Sequence, residues 1–176
     1  MPETPHVRLA LPAEAPAIAE IQRAAWALDP LLRVGLDHID IGEATQVWHQ
    51  AITRPPLAHY RVLVALSGSR VCGFALVGPS DDADAQQRDA LVHEFVIAPS
   101  ERGLGHGSRL MQAAVDTMRI DGYTRATWWV STTDDRLRAF LTGSGWAPDG
   151  AHRELGTEDG AHRLKQVRLH TDISAG

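Results

Sequence analysis

The sequence predicts an α/β (α+β) protein of about seven strands and about four helices, and three observations carry that expectation. Apolar runs of strand length alternate along the 176 residues with stretches whose apolar positions recur at helical spacing. Two of the strand pairs are joined by short polar, glycine-containing connections, which read as hairpins and call for antiparallel pairing. No long linker or low-complexity tract divides the chain, so a single domain spanning 1–176 with one substantial core is expected.

The elements follow in order. Val7 to Ala10 reads as a short strand. Beyond Glu14 comes a helix with Ile18, Ile21, Ala25 and Leu28 on one face, stopped by Asp29-Pro30, and then an irregular stretch. Ala44, Val47, Trp48, Ala51 and Ile52 repeat the three-four spacing in a second helix, which Pro55-Pro56 ends. Arg61 to Leu66 and Arg70 to Val77 form a hairpin across Ser67-Gly68-Ser69. The polar, acidic segment Gly78 to Asp89 reads as a solvated turn, with attraction of a cationic ligand as its other use. A fourth strand runs from Leu91 to Ala98 and stops at Pro99. Leu110, Met111, Ala114, Val115 and Met118 make the buried stripe of a long third helix, closed by Gly122 as a left-handed cap. Arg125 to Ser131 is a fifth strand and Asp134 to Gly143 a fourth helix. After Trp146, His152 to Leu155 and Ala161 to Leu169 pair as a hairpin across Thr157-Glu158-Asp159-Gly160.

Composition excludes several classes. With 17 basic against 22 acidic residues and a net charge of −5, the chain lacks the basic footprint of a general nucleic-acid binder. No apolar run is long enough to span a bilayer, and the first residues lack the basic start and apolar stretch of a secretory signal, so a cytoplasmic location is expected. The lone Cys72 lies among Val71, Gly73, Phe74 and Leu76 and reads as a packed core thiol.

The feature that speaks of a ligand is Arg102-Gly103-Leu104-Gly105-His106-Gly107, set between the fourth strand and the third helix. Glycines at alternate positions let a bulky diphosphate reach backbone amides, and the helix that follows adds unpaired amides and the positive end of its dipole. A nucleotide P-loop would need Lys and then Ser or Thr after the last glycine, whereas Gly107 is followed by Ser108-Arg109. A dinucleotide fingerprint would need a third glycine at a step where none stands. What the run Phe95-Val96-Ile97-Ala98-Pro99-Ser100-Glu101-Arg102-Gly103-Leu104-Gly105-His106-Gly107 does match, without a gap, is the strand and Arg/Gln-x-x-Gly-x-Gly/Ala signature of the GNAT superfamily of acyl-CoA-dependent N-acyltransferases, which the chain resembles. A second motif of that family runs from Val130 through Asp134, Ala139, Phe140 and Leu141 to Gly145-Trp146.

The resemblance implies a single mixed, mostly antiparallel sheet splayed between the fourth and fifth strands, with a gap that takes the pantetheine arm of acetyl-CoA. It implies that the backbone of Phe95, Val96 and Ile97 pairs with pantetheine as another strand would. The amides of Gly103, Leu104, Gly105, His106, Gly107 and Ser108 would hold the pyrophosphate, with Arg102 closing the turn and His106 an exposed spacer. Asp134 stands where the family has a cofactor-contacting asparagine, with capping of the following helix as its other role, and Phe140 lies in the same frame. Arg109, Arg136 and Arg138 are either contacts to the adenosine phosphate or ordinary exposed helix charges. No metal is implied.

For catalysis, an amine acceptor must lose a proton before it attacks a thioester. Glu94 and His93 precede the pantetheine-pairing residues and point to opposite faces, and Glu94 is placed first because a desolvated carboxylate has a raised pKa and also attracts a cation. His93 is the alternative, a solvated or salt-bridged pair the plain reading. The amide of Ile97 is the candidate oxyanion donor. Leu141 replaces the tyrosine that many members use to protonate the leaving thiolate, so Ser131, Ser144 or water would serve, or the thiolate would leave directly. The acceptor groove would be walled by Leu28 to Ile39 and the last hairpin. Trp26, Trp48, Trp128 and Trp129 are core residues or groove walls, and Asp37, Asp40, Glu154 and Glu158 would favour a cation. The expected function is an acetyl-CoA-dependent N-acetyltransferase acting on a primary amine of a small molecule, without nucleic-acid or membrane partners, as monomer or homodimer. The alternatives are an acyl-CoA-binding sensor of the same fold or an enzyme acting on a protein amine.

Overall fold

The computed structural model describes residues 3–174. Seven strands form one sheet in the order β1-β2-β3-β4-β5-β7-β6, comprising β1 (Pro5–Leu9), β2 (Arg61–Ser67), β3 (Arg70–Pro79), β4 (Asp89–Ile97), β5 (Arg125–Ser131), β6 (Ala147–Gly156) and β7 (Arg163–Asp172). Every pairing is antiparallel except β4 with β5, which run parallel. The helices are α1 (Ala15–Trp26), α2 (Pro30–Leu36), α3 (Ile41–Thr53), α4 (His106–Ile120) and α5 (Asp135–Gly143). None is long and apolar enough to cross a membrane among the described residues.

Helix α2 occupies a stretch expected to be irregular. Asp29-Pro30 ends α1, as the sequence indicates, but it also starts a new helix: the Asp29 carboxylate accepts from the amides of Leu31 and Leu32, and Pro30 sits in the first turn, where a missing N–H costs nothing. Because α1 stops at Trp26, Leu28 falls outside its buried face and is 64% exposed. Val47 likewise turns outward from α3, while Trp48 is buried.

The sheet is covered on both faces. On one, α4 and α5 bury Leu110, Ala114, Met118 and Leu141 against Val77, Val92, Trp128 and Val130. On the other, α1 and α3 bring Ile18, Ile21 and Trp48 onto Val64 and Phe74, with the Trp48 and Phe74 rings edge to face at 4.9 Å. A fully buried aliphatic or aromatic side chain contributes about 1.5–3 kcal/mol, so these two layers hold the sheet rigid beneath the helices.

Two local irregularities shape the centre. Pairing between β4 and β5 covers only Asp89 with Arg125, Ala90 with Ala126 and Leu91 with Thr127, then stops. The buried Thr127 hydroxyl donates to the Ala90 carbonyl at 2.9 Å and clips the last rungs together. Just beyond, Glu94 pairs with Leu76 and Val92 with Val77, leaving His93 as an extra residue on β4. Such a bulge increases the local twist and swaps which face later residues present. Ala90 and Val92 therefore point toward α4, and so do Phe95 and Ile97, whereas Glu94 and Val96 point toward α1 and α3.

Candidate active site

The open wedge between β4 and β5 is a cavity of about 360 Å³ lined by residues of both strands and of the β6–β7 hairpin. Its β4 wall has a free backbone edge from Val92 onward, since β3 occupies the other edge through Ile97. Phe95 and Trp128 pack ring to ring at 4.7 Å across the wedge, and Trp146 braces Trp128 at 5.6 Å.

Glu94 lines this cavity and is half-buried. Desolvation pushes its carboxyl up from 4.5 to about 7, partly offset by hydrogen bonds from Gln22. The Gln22 amide donates to both carboxylate oxygens, at 3.1 and 2.9 Å, and its own carbonyl accepts from the buried Trp48 indole at 3.0 Å. The carboxylate is thus aimed by a relay from α3 through α1. Sequence reasoning missed Gln22 and read Trp48 only as a core residue or groove wall. A signal was available: Gln22 stands one turn after Ile18 on the apolar face of α1, where a polar side chain needs a partner.

His93, the other candidate base, is drawn aside: its Nε2 lies 3.0 Å from the Pro79 carbonyl and its ring sits 5.2 Å from that of Tyr60. Ser131 lines the cavity, with its hydroxyl 2.9 Å from that of Thr133. Leu141 is completely buried in the α4-side core, and Phe140 packs against the same cluster. Asp134 caps α5 by accepting from the Leu137 amide at 3.1 Å.

The glycine turn has the geometry that its sequence requires. Gly103 and Gly105 adopt φ of +78° and +85°, in the left-handed region, and Gly105 is the residue that opens α4. A Cβ on Gly105 would lie 3.1 Å from the Arg109 guanidinium, which folds back over the turn and donates to the Leu104 carbonyl at 3.1 Å. Arg109 is therefore part of the turn, not a free helix charge. Arg138 is engaged with the Thr132 carbonyl at 3.1 Å, and Arg136 is exposed.

His106 corrects an expectation. It is not an exposed spacer but the first residue of α4, only 5% exposed, because the turn tucks it against the start of β3 and the segment after β4. Its Nε2 lies 3.8 Å from Glu101, and burial, then Arg109 and Arg70, push its pKa down, which favours the neutral ring. Donor atoms of Cys72, Glu101 and His106 fall within 4.8 Å of one another. Arg70 points at both Glu101 and Cys72, however, and Arg109 at His106. Two fixed cations oppose a third, so the cluster reads as a brace beneath the turn. Cys72 is fully buried, as expected.

The far wall of the cavity was not legible from motifs. Trp129 points away from α4, donates to both oxygens of Asp82 at 3.0 and 3.1 Å, and carries the Arg153 guanidinium 4.3 Å from its ring centre. Behind it, buried Arg168 bonds Asp149, Asp82 and Asp84. The acidic β3–β4 loop, expected to be solvated, is in this way pinned to β7.

A wedge between two parallel strands, a free strand edge and a glycine turn opening the next helix define an acyltransferase fold. The chain belongs to the acetyltransferase (GNAT) family, whose model matches residues 22–146. Among solved structures it is similar to yncA from Salmonella typhimurium, solved with its cofactor acetyl-CoA (19% identity, TM-score 0.78, covering 98% of this chain and 96% of that one). It is also similar to an N-acetyltransferase from Staphylococcus aureus Mu50 (17%, TM-score 0.79, 97% and 99%) and to the ribosomal-protein-alanine N-acetyltransferase from Brucella melitensis (19%, TM-score 0.75, 94% and 98%). No curated protein matches the sequence. Acetyl-CoA is the co-substrate of the family, which needs no metal.

Proposed function

We propose that the protein is an acetyl-CoA-dependent N-acetyltransferase that acts on a primary amine of a small molecule, with Glu94 as the general base. The observation that carries this reading is the position of Glu94: it faces the wedge at the point where β4 and β5 part, held by Gln22, with a pKa near 7. A base of that strength takes a proton from an ammonium at neutral pH and is regenerated by solvent.

The structural features fit the co-substrate. The free edge of β4 suits the amides of pantetheine, and the left-handed turn at Gly103 and Gly105 leaves room for a pyrophosphate beside the first amides of α4, with Arg109 adding charge. Bound there, acetyl-CoA supplies the activated acyl group. The chain's own groups do the rest. Glu94 accepts the amine proton, the Ile97 amide is the oxyanion donor, and the amine attacks in a ternary complex as the carbon–sulfur bond breaks. Proton return to the thiolate falls to Ser131, which lines the wedge, or to water; a thiol of pKa about 8.5 leaves tolerably without help.

Leu141, an aliphatic side chain that is completely buried, supplies no acid at that position and keeps open a second reading, an acyl-CoA-binding sensor. Incubating the purified protein with acetyl-CoA and a panel of amines, while measuring free thiol, separates the two. Amine-dependent release that Glu94→Gln lowers by about 10²–10⁴-fold supports the enzyme. Acetyl-CoA binding without amine-dependent release supports the sensor.

A further inference from the structure

The two arginines on the acceptor side of the sheet have opposite surroundings. Arg168 is 6% exposed and its donors are taken up by carboxylates: Nε by Asp149 at 2.6 Å, one terminal nitrogen by Asp82 and Asp84, the other by Asp84 at 2.6 Å. Arg153 forms no ion pair within 4 Å among the described residues, and its one side-chain hydrogen bond there runs from Nε to Gln166 at 2.7 Å. Its guanidinium lies over Trp129, 4.3 Å from the ring centre, and Trp129 is itself fixed through its indole N–H on Asp82. Stacking holds the plane and Gln166 holds one edge, so the terminal nitrogens are left as an oriented, unpaired fork at the cavity wall. Asp81 and Asp82 act on Arg153 only through space, and partial desolvation of this otherwise exposed side chain outweighs them.

Arg153 shares its cavity with Glu94. One wall therefore accepts protons and attracts an ammonium, while another presents two donors in the geometry that a carboxylate matches. We propose that Arg153 is an anion-recognition residue and that the acceptor is an amino-acid-type zwitterion, whose carboxylate docks on Arg153 while its amine faces Glu94. This rests on the acetyltransferase reading for the role of Glu94. The same fork would repel a polyamine. Trp129 sets the height of the fork above the sheet, and the Arg168 network sets Trp129.

The test is calorimetric binding to the CoA-loaded protein of the twenty L-amino acids, each against its carboxamide and its decarboxylated amine. At least one amino acid is expected to bind ten-fold or more tightly than both of its partners. Arg153→Gln should abolish that preference while leaving its carboxamide within two-fold, and Arg153→Lys, which keeps the charge without the stacked fork, should retain only part of it. Acetyl-CoA affinity reports on folding of each variant. Carboxamides or amines that bind as well as the acids across the panel, a preference that survives Arg153→Gln, or no binding by any member would overturn the proposal. Carboxylate-dependent binding without thiol release keeps the anion site and rejects the transferase; thiol release with amines lacking a carboxylate does the reverse.

Discussion

At the residue scale, Glu94 is tuned by two opposing influences that can be altered separately. Burial raises its pKa and the Gln22 amide lowers it, leaving it at about 7. Removing the donor with Gln22→Ala should therefore move the ascending limb of the kcat/KM pH profile toward alkaline pH, whereas the unaltered protein should gain activity as pH rises through about 7. A profile flat from pH 6 to 8 would remove Glu94 from the role of base. The same shift makes a statement about stability. The carboxyl is harder to ionise folded than unfolded, so the native state binds more protons between about pH 4.5 and 7 and stability falls as pH rises through that window. The full shift corresponds to a cost on the order of 3 kcal/mol. Melting temperatures of Glu94→Gln and the parent, read at pH 5 and pH 8, should diverge at pH 8 in favour of the variant.

At the element scale, the turn into α4 depends on a left-handed residue. Gly105→Val places a branched side chain at φ +85° and 3.1 Å from Arg109, so the turn must re-form. Acetyl-CoA affinity should fall by at least ten-fold with the circular dichroism spectrum kept; unchanged affinity would sink the cradle assignment. Helix α5 offers the complementary case. Leu141 is fully enclosed by the α4-side core, so Leu141→Tyr would overpack rather than supply an acid, and the expected result is about 1–3 kcal/mol lower stability with no rise in kcat. Denaturant unfolding and steady-state kinetics on the same sample check both halves. The motifs that marked these elements were legible because each needs only local spacing. What they left out was α2, where Asp29-Pro30 serves as a stop and a start at once, and the burial of His106, which depends on Glu101, Arg70 and Arg109 converging beneath the turn.

At the scale of the whole molecule, the fold works as two covered sheet faces that meet at an open wedge, and Arg168 ties the far rim together. It links β7 to the β3–β4 loop through Asp82 and Asp84 and to the β6 strand through Asp149. Removing it leaves Asp82 without its ion-pair partner, while Asp149 keeps Arg125 and Asp84 is exposed, so Arg168→Ala should cost about 1–3 kcal/mol and also loosen Trp129. The Arg168 guanidinium holds Asp84 down to about 2. A carboxylate depressed in this way contributes stability that is present above its unfolded pKa and lost as pH falls through the folded one, so the rim should weaken on acidification below about pH 4. Tryptophan fluorescence during acid titration should follow that loss, and Arg168→Ala should remove the transition.

The sequence by itself determined the strand and helix order around the glycine turn, the family and the co-substrate, and it offered Glu94 as a candidate base, because period, glycine placement and motif spacing are local properties of a chain. Tertiary structure alone decided that the bulge at His93 turns Glu94 toward α1, that Gln22 and Trp48 hold it there, and that Arg153 lies over Trp129 beside the same cavity while Arg168 is consumed by its carboxylates. These pairings join residues tens of positions apart, and no periodicity encodes which side chains will face one another once the sheet is closed on both faces.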